Sequence, residues 1–185
     1  NQRKNSINRL DNLRYIAMFM HILYRLCMKN ESPLDDADRR LLRAMQCDAS
    51  ASQAALAEEA GVSASQVSRR LARLKEIGAL RAVVGLVDPP RVGLTCAAII
   101  RIRLRDHSAA NVRAFRDLVT RMDEATLCVA LTGEADYLVK VVARDLPHFQ
   151  EIVQQKLLRC AAIAHLESSI VLEHLKDTTE LPLAD

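Results

Sequence analysis

The stretch Gln53-Ala-Ala-Leu-Ala-Glu-Glu-Ala-Gly61-Val-Ser63-Ala-Ser-Gln66-Val-Ser-Arg-Arg70-Leu-Ala-Arg-Leu-Lys-Glu-Ile-Gly78-Ala-Leu80 decides how the chain is read. Ser52 stands at an N-cap position before a run rich in Ala, Leu and Glu, all good helix formers. Gly61 sits where a C-cap glycine belongs, since it takes positive φ without steric cost. Ser63, with Gln66 three residues on, forms a capping box that opens a second helix. That helix lines up Val67, Leu71, Leu74 and Ile77 on one face and stops at Gly78. Ser65, Gln66, Ser68, Arg69, Arg70 and Arg73 then face outward. Two short helices around a Gly turn make a helix-turn-helix, whose second helix enters the DNA major groove. There Arg pairs with guanine, Gln with adenine, and Ser and Arg hold phosphates. On this reading, replacing Arg70 and Arg73 by Ala abolishes specific DNA binding and leaves stability near wild type.

Working outward, Leu34-Asp35-Asp36-Ala37-Asp38 opens a supporting helix with acidic residues at its positive end and Leu41, Leu42 and Met45 as its apolar stripe. Beyond Gly78, Leu80–Val87 is a β-branched run expected to form a short strand or wing. Asp88-Pro89-Pro90-Arg91 continues neither helix nor ladder and marks a hinge. From Thr95 the pattern changes. Cys96–Leu104 reads as a strand with one wet face, and Asn111 as the cap of a helix carrying Val112, Phe115, Leu118, Val119 and Met122. Ala125–Leu131 and Tyr137–Ala143 are strands around the turn Thr132-Gly-Glu-Ala-Asp136. A helix follows from Asp145 or Leu146 to about Leu158, then a final strand over Ile163–Leu175. The order β-α-β-β-α-β is the split βαβ arrangement. Two helices cover one face of such a sheet, so the other face calls for a partner, most simply a second copy.

Composition excludes several classes. With no Trp and 3% aromatic residues, the chain lacks the stacking platforms of single-stranded nucleic-acid binders. Cys27, Cys47, Cys96, Cys128 and Cys160 lie far apart and read as reduced, buried thiols. His21, His107, His148, His165 and His174 form no cluster, and no metal-ligand spacing, Gly-rich phosphate loop or nucleophile elbow is present. Neither an enzyme nor a metal or cofactor is expected. The net charge of +3 resolves into +4 over residues 1–33, +1 over 34–93 and −2 over 94–185, so the basic balance is no evidence for DNA binding. The relevant asymmetry is local: Ser63–Ile77 holds Arg69, Arg70, Arg73 and Lys75 against Glu76. The apolar run Ile16–Tyr24, broken by His21, is far shorter than the roughly 20 residues of a membrane span.

The combination resembles the leucine-responsive/asparagine-responsive (Lrp/AsnC, "feast/famine") transcription regulators. Four motifs carry the resemblance: Leu34-Asp-Asp-Ala-Asp-Arg-Arg-Leu-Leu42; Gly61-Val-Ser63 with Arg70-Leu-Ala-Arg-Leu74 and Gly78; Thr132-Gly-Glu-Ala-Asp-Tyr137; and Val171–Leu183. It implies an α+β fold, a winged helix-turn-helix followed by a β-α-β-β-α-β (ferredoxin-like) domain. It also implies double-stranded DNA as partner, a homodimer or higher oligomer of dimers, and a small effector, usually an amino acid, held at subunit contacts. By position, Ser63, Ser65, Gln66, Ser68, Arg69, Arg70 and Arg73 match the DNA-reading surface. Thr132, Gly133, Glu134, Asp136 and Tyr137 match the effector turn, and Ser168 and Ser169 fall near the edge of the last strand, where relatives also contribute to ligand or assembly contacts. Ala135 stands where many relatives carry a larger side chain, which loosens any statement about pocket shape.

The expected organisation is an N-terminal extension over 1–33, a DNA-binding domain over 34–85, a hinge over 86–94, an effector and oligomerisation domain over 95–176, and a tail over 177–185. Met28 would serve as the start of a compact protein, so residues 1–27 read as an upstream extension or a start-site misassignment; a partner-binding helix is the competing reading. The expected location is the cytoplasm, on the nucleoid. Two other functions share the shape: an architectural DNA-wrapping protein that needs no effector, and an amino-acid-sensing domain whose helical unit binds protein.

Overall fold

The computed structural model describes residues 34–183; the expectations for the N-terminal extension lie outside the described residues. Two compact units emerge, one of residues 34–86 with 175–183, the other Val87–His174.

In the first unit, α1 (Asp36–Cys47) begins on a reciprocal cap. Asp38 N donates to Asp35 Oδ1 at 2.8 Å, and Asp35 N donates to Asp38 Oδ2 at 3.2 Å. Helix α2 (Gln53–Ala60) starts at Ser52, whose hydroxyl accepts from Ala55 N at 3.2 Å. Gly61 at φ 66° turns the chain into α3 (Ala64–Glu76), a conformation that suits Gly because a Cβ would be strained there. Leu41, Leu42, Leu56, Ala57, Ala60, Val67 and Leu74 are buried together, with Leu71, Met45 and Leu183 packed around them. Burial of each larger side chain contributes about 1.5–3 kcal/mol. Ile77, expected inward, is 43% exposed, because α3 ends at Glu76 and the C-cap residue leaves the buried stripe.

The expected strand or wing over Leu80–Val87 is not formed: residues 81–88 join no ladder, and Val83, Val84, Leu86 and Val87 are exposed. Every strand among the described residues belongs to the sheet of the second unit, so the helical unit itself offers this segment no ladder partner. A single 3₁₀ turn, Pro89–Val92, follows.

The second unit runs β1 (Cys96–Leu104), α4 (Ala109–Thr120), β2 (Ala125–Ala130), β3 (Tyr137–Ala143), α5 (Leu146–Ile152) and β4 (Ile163–Ile170). The sheet order is β2-β3-β1-β4 with every neighbour antiparallel, the split βαβ arrangement. Residues alternate cleanly on β1 and β3. Ala98, Ile100, Ile102, Val139 and Val141 are fully buried against Phe115, Phe149, Ile152 and Leu157 from the helical layer. The opposite face carries Ile99, Leu138 and Val142 half-buried and Leu127 and Val129 exposed.

Three boundaries differ from expectation. Ser108, not Asn111, caps α4, and its hydroxyl accepts from Asn111 N. Helix α5 ends in a widened turn over Val153–Leu157, where Leu158 N reaches back to Val153 O. Strand β4 stops at Ile170 instead of reaching Leu175: Val171 N still donates to Ala97 O, but beyond that β1 has only Cys96 left. Of the thiols expected to be buried, Cys96 is buried and Cys160 half-buried, whereas Cys47 and Cys128 are exposed; Cys27 lies outside the described residues.

Candidate nucleic-acid interface and effector cavity

Helix α3 presents Ser65, Ser68 and Arg69 to solvent, with Ser63 exposed at its N-cap. Gln66 is half-buried and its Oε1 accepts from Ser63 N at 3.1 Å, so it serves the cap. Ser63 Oγ lies 3.1 Å from Ser65 Oγ. Arg70 and Arg73 depart from the expectation that both point freely outward. Arg70 Nη1 donates to Asp35 Oδ2 at 2.7 Å and to Asp38 Oδ1 at 2.8 Å, and Arg73 Nη2 donates to Asp38 Oδ2. Asp38 is completely buried, while the side chains of Arg70 and Arg73 are 22% and 41% exposed.

The physical reason is the carboxylate. A buried, uncompensated Asp38 would be prohibitively costly, and two arginines one helical turn apart offset its charge. The Asp38 backbone N–H lowers the Asp35 carboxyl below its ordinary value; the slight burial that opposes this is outweighed with the help of Arg70. This clamp was missed in the sequence, although a signal was present: Asp35/Asp38 and Arg70/Arg73 repeat the same i, i+3 spacing with opposite sign.

The turn between β2 and β3 is pinned just as firmly. Gly133 sits at φ 120°, outside the range an L side chain adopts comfortably. Leu104 N donates to Asp136 Oδ2 at 2.7 Å, and His107 Nε2 lies 2.9 Å from Asp136 Oδ1. Asp136 N donates to Ile102 O, and Leu131 N donates to Asp136 O, each at 2.9 Å. Arg103 Nε donates to the Glu134 carbonyl at 2.9 Å. Both carboxylate oxygens of Asp136 are thus engaged in holding the turn to the end of β1.

Tyr137 belongs to the core, with its ring 4.5 Å from that of Phe115. Ser168 pairs with Ile100 and so lies on the helix-covered side of the sheet, the side of Tyr137 and opposite to Arg101 and Glu167. What the fold does bring together is a cavity of about 310 Å³. Thr132, Glu134 and Ala135 of the turn line it with Arg101 and Arg103 of β1 and His165 and Glu167 of β4. Arg101 Nη1 and Glu167 Oε2 stand 3.7 Å apart across the strands. Cations and carboxylates in one small cavity suit a ligand bearing both charges. These strand residues were not anticipated, although the Ile-Arg-Ile-Arg alternation at 100–103 had shown a wet face.

A helix-turn-helix with an exposed Ser and Arg surface, joined to a split βαβ sheet with a charged cavity at its turn, defines a ligand-responsive DNA-binding regulator. Residues 34–75 match the AsnC-type helix-turn-helix domain, and residues 97–181 match the Lrp/AsnC ligand binding domain. The chain belongs to the Lrp/AsnC family of transcription regulators. It is 33% identical over 150 residues to the DNA-binding transcriptional activator DecR of Escherichia coli strain K12, covering 81% of this chain and 99% of that one. It is 31% identical over 152 residues to the glutamate uptake regulatory protein of Zymomonas mobilis, covering 82% and 92%. Among solved structures, regulator NMB0573 of Neisseria meningitidis, in complex with L-Met, superposes with TM-score 0.77 at 33% identity, covering 80% and 96%. Escherichia coli AsnC gives 0.74 at 26% identity, covering 80% and 99%. Among the described residues, no helix is long and apolar enough to cross a membrane.

Proposed function

We propose that this regulator reads specific DNA sites through the exposed face of α3 and that an amino acid bound at the Thr132–Ala135 cavity modulates it. Ser63, Ser65, Ser68 and Arg69 meet DNA directly; Gln66, Arg70 and Arg73 set the helix in place and offer only their remaining edges to phosphate. The observation that carries the reading is the division on one helix between residues held inside the unit and residues left exposed. In the cavity, Thr132 and Glu134 lie beside Arg101 and Glu167, a setting for both ends of a zwitterion. The L-Met complex of the Neisseria regulator supports an amino acid as the effector class.

The open sheet face and the exposed run Val83–Val87 favour a homodimer, since each leaves apolar surface or unpaired backbone that a second copy can cover. Effector binding at such a contact matters only by favouring one assembly over another. A footprint on the DNA upstream of the chain's own gene, with and without each common amino acid, tests the proposal. Protection that changes with one amino acid is expected. Protection indifferent to all of them favours an architectural DNA-wrapping role, and no protection at any salt concentration overturns the DNA reading.

A further inference from the structure

We infer that α1 carries a peptide-docking groove for the chain's own segment Leu181–Leu183, and that this docked strap sets the order of the recognition helix. Leu181 N donates to Gln46 Oε1 at 2.7 Å, and Gln46 Nε2 returns to Leu181 O at 3.3 Å. Arg43 Nη2 donates to Leu183 O at 2.6 Å, and Leu183 packs against the apolar cluster of the DNA-binding unit. Arg43 and Gln46 lie one helical turn apart on one face of α1 and grip backbone groups two residues apart, which holds the segment extended along the helix. Pro182 suits that mode: it has no N–H to leave unpaired, and it biases Leu181 toward extended backbone.

The strap is anchored at both ends. Val171 N donates to Ala97 O at 2.8 Å beside β4, whereas 175–183 belongs to the DNA-binding unit. Among the described residues the chain therefore passes between the units twice, once at the Pro hinge and once here. On α1, the strap meets Arg43 and Gln46, while Asp38 of the same helix holds Arg70 and Arg73 of α3. A continuous set of contacts thus runs from the strap through α1 to the recognition helix, a route by which loosening of α1 reaches α3.

Hydrogen exchange on the full-length protein tests this with two variants, Gln46→Ala and Leu183→Ser. Several-fold faster exchange is expected in residues 36–47 and 64–76 of both, with β1 and β3 unchanged, together with weaker binding to duplex DNA. Unchanged exchange in α1 of both variants overturns the docked strap. Faster exchange in α1 with unchanged affinity of Gln46→Ala for duplex DNA overturns its link to the recognition helix. A photo-reactive residue introduced by Leu181→p-benzoylphenylalanine should cross-link within one chain; a link joining two chains overturns the cis assignment. The exchange and cross-linking results stand whether or not an effector is found, which separates failure here from failure of the proposed function.

Discussion

The recognition helix and the effector turn use charge in opposite ways. In the DNA-binding unit the apolar cluster is small and built from Leu, Ala and Val, and Asp38 is buried within the helical packing. Charge there ties two helices together: Asp35 and Asp38 of α1 against Arg70 and Arg73 of α3. The sheet unit has a larger core with Phe115, Phe149 and a run of buried Ile and Val. Its Asp136 therefore bears little of the fold and shapes a local feature, the turn beside the cavity. The lesson is that a charged residue in a ligand-facing motif is not thereby a ligand. What remains for binding is Ser65, Ser68 and Arg69 on one unit and, on the other, a cavity lining whose Arg103 and Arg101 already face Glu134 O and Glu167.

The sharpest way to break this contrast is Asp38→Ala. It strands two arginines beside a buried site and should cost the DNA-binding unit about 2–4 kcal/mol, discounted from a fully buried pair because both guanidiniums keep some exposure. Urea unfolding should show an earlier transition for this unit and an unmoved one for the sheet; a loss within about 0.5 kcal/mol would sink the clamp. Asp136→Ala comes next. It removes the acceptor of the Leu104 N–H and of His107 and should cost the sheet unit about 1–2 kcal/mol. Its larger consequence is a loosened turn, so effector affinity should fall although Asp136 need not touch the ligand. Retained affinity in Asp136→Ala would show that the pinning has no role in binding.

Arg69 and Arg70, neighbours in sequence, separate the two uses of charge most cleanly. Arg69→Ala should leave stability within about 0.5 kcal/mol of wild type and weaken DNA binding. Arg70→Ala should lower stability by about 1–3 kcal/mol, since it uncovers Asp35 and Asp38. This reverses the expectation from sequence that Arg70 and Arg73 can be lost without structural cost. Melting curves and DNA titrations on the two single variants decide it, and equal stability of the two would restore the sequence-based view.

Periodicity made most of the fold legible. Ser52, Gly61 and the alternation Ala98-Ile99-Ile100-Arg101-Ile102 carry local signals strong enough to place α2, α3 and β1. Errors fell where pairing depends on distant residues. Leu80–Val87 has strand composition, but a ladder needs a partner, and among the described residues of the helical unit there is no strand to supply one. Val171–Leu175 has it too, yet β1 begins at Cys96 and offers partners for only its first residues. The candidate sites were half legible for the same reason. Exposure of Ser65 and Arg69 follows from helical period, whereas the partners of Arg70 and Asp136 lie some thirty residues away in sequence. A lone sequence shows a charge but not the buried group that has claimed it.

The smallest effect, and the one that compares the two units under a common stress, is their response to acid. Burial pushes the Glu124 carboxyl up, but Lys156 Nζ at 2.7 Å from both its oxygens and a backbone N–H outweigh that, leaving it below its ordinary value of 4.5. Because the folded value is depressed, the pair stabilises the sheet unit above the ordinary glutamate range, and that contribution is lost as pH falls through the folded value. The Asp35 carboxyl is likewise held below 3.8, so the DNA-binding unit weakens in acid by the same sign. Glu124→Gln should lose only about 0.2–1 kcal/mol at neutral pH, as expected for a half-exposed ion pair, and should converge with wild type in acid. Asp35→Asn should show the larger neutral-pH loss of the two, since Asp35 also orders the α1 cap and the Arg70 side chain that compensates buried Asp38. If Glu124→Gln instead costs more than Asp35→Asn, charge carries more of the sheet unit than of the helical one, and the contrast between them fails.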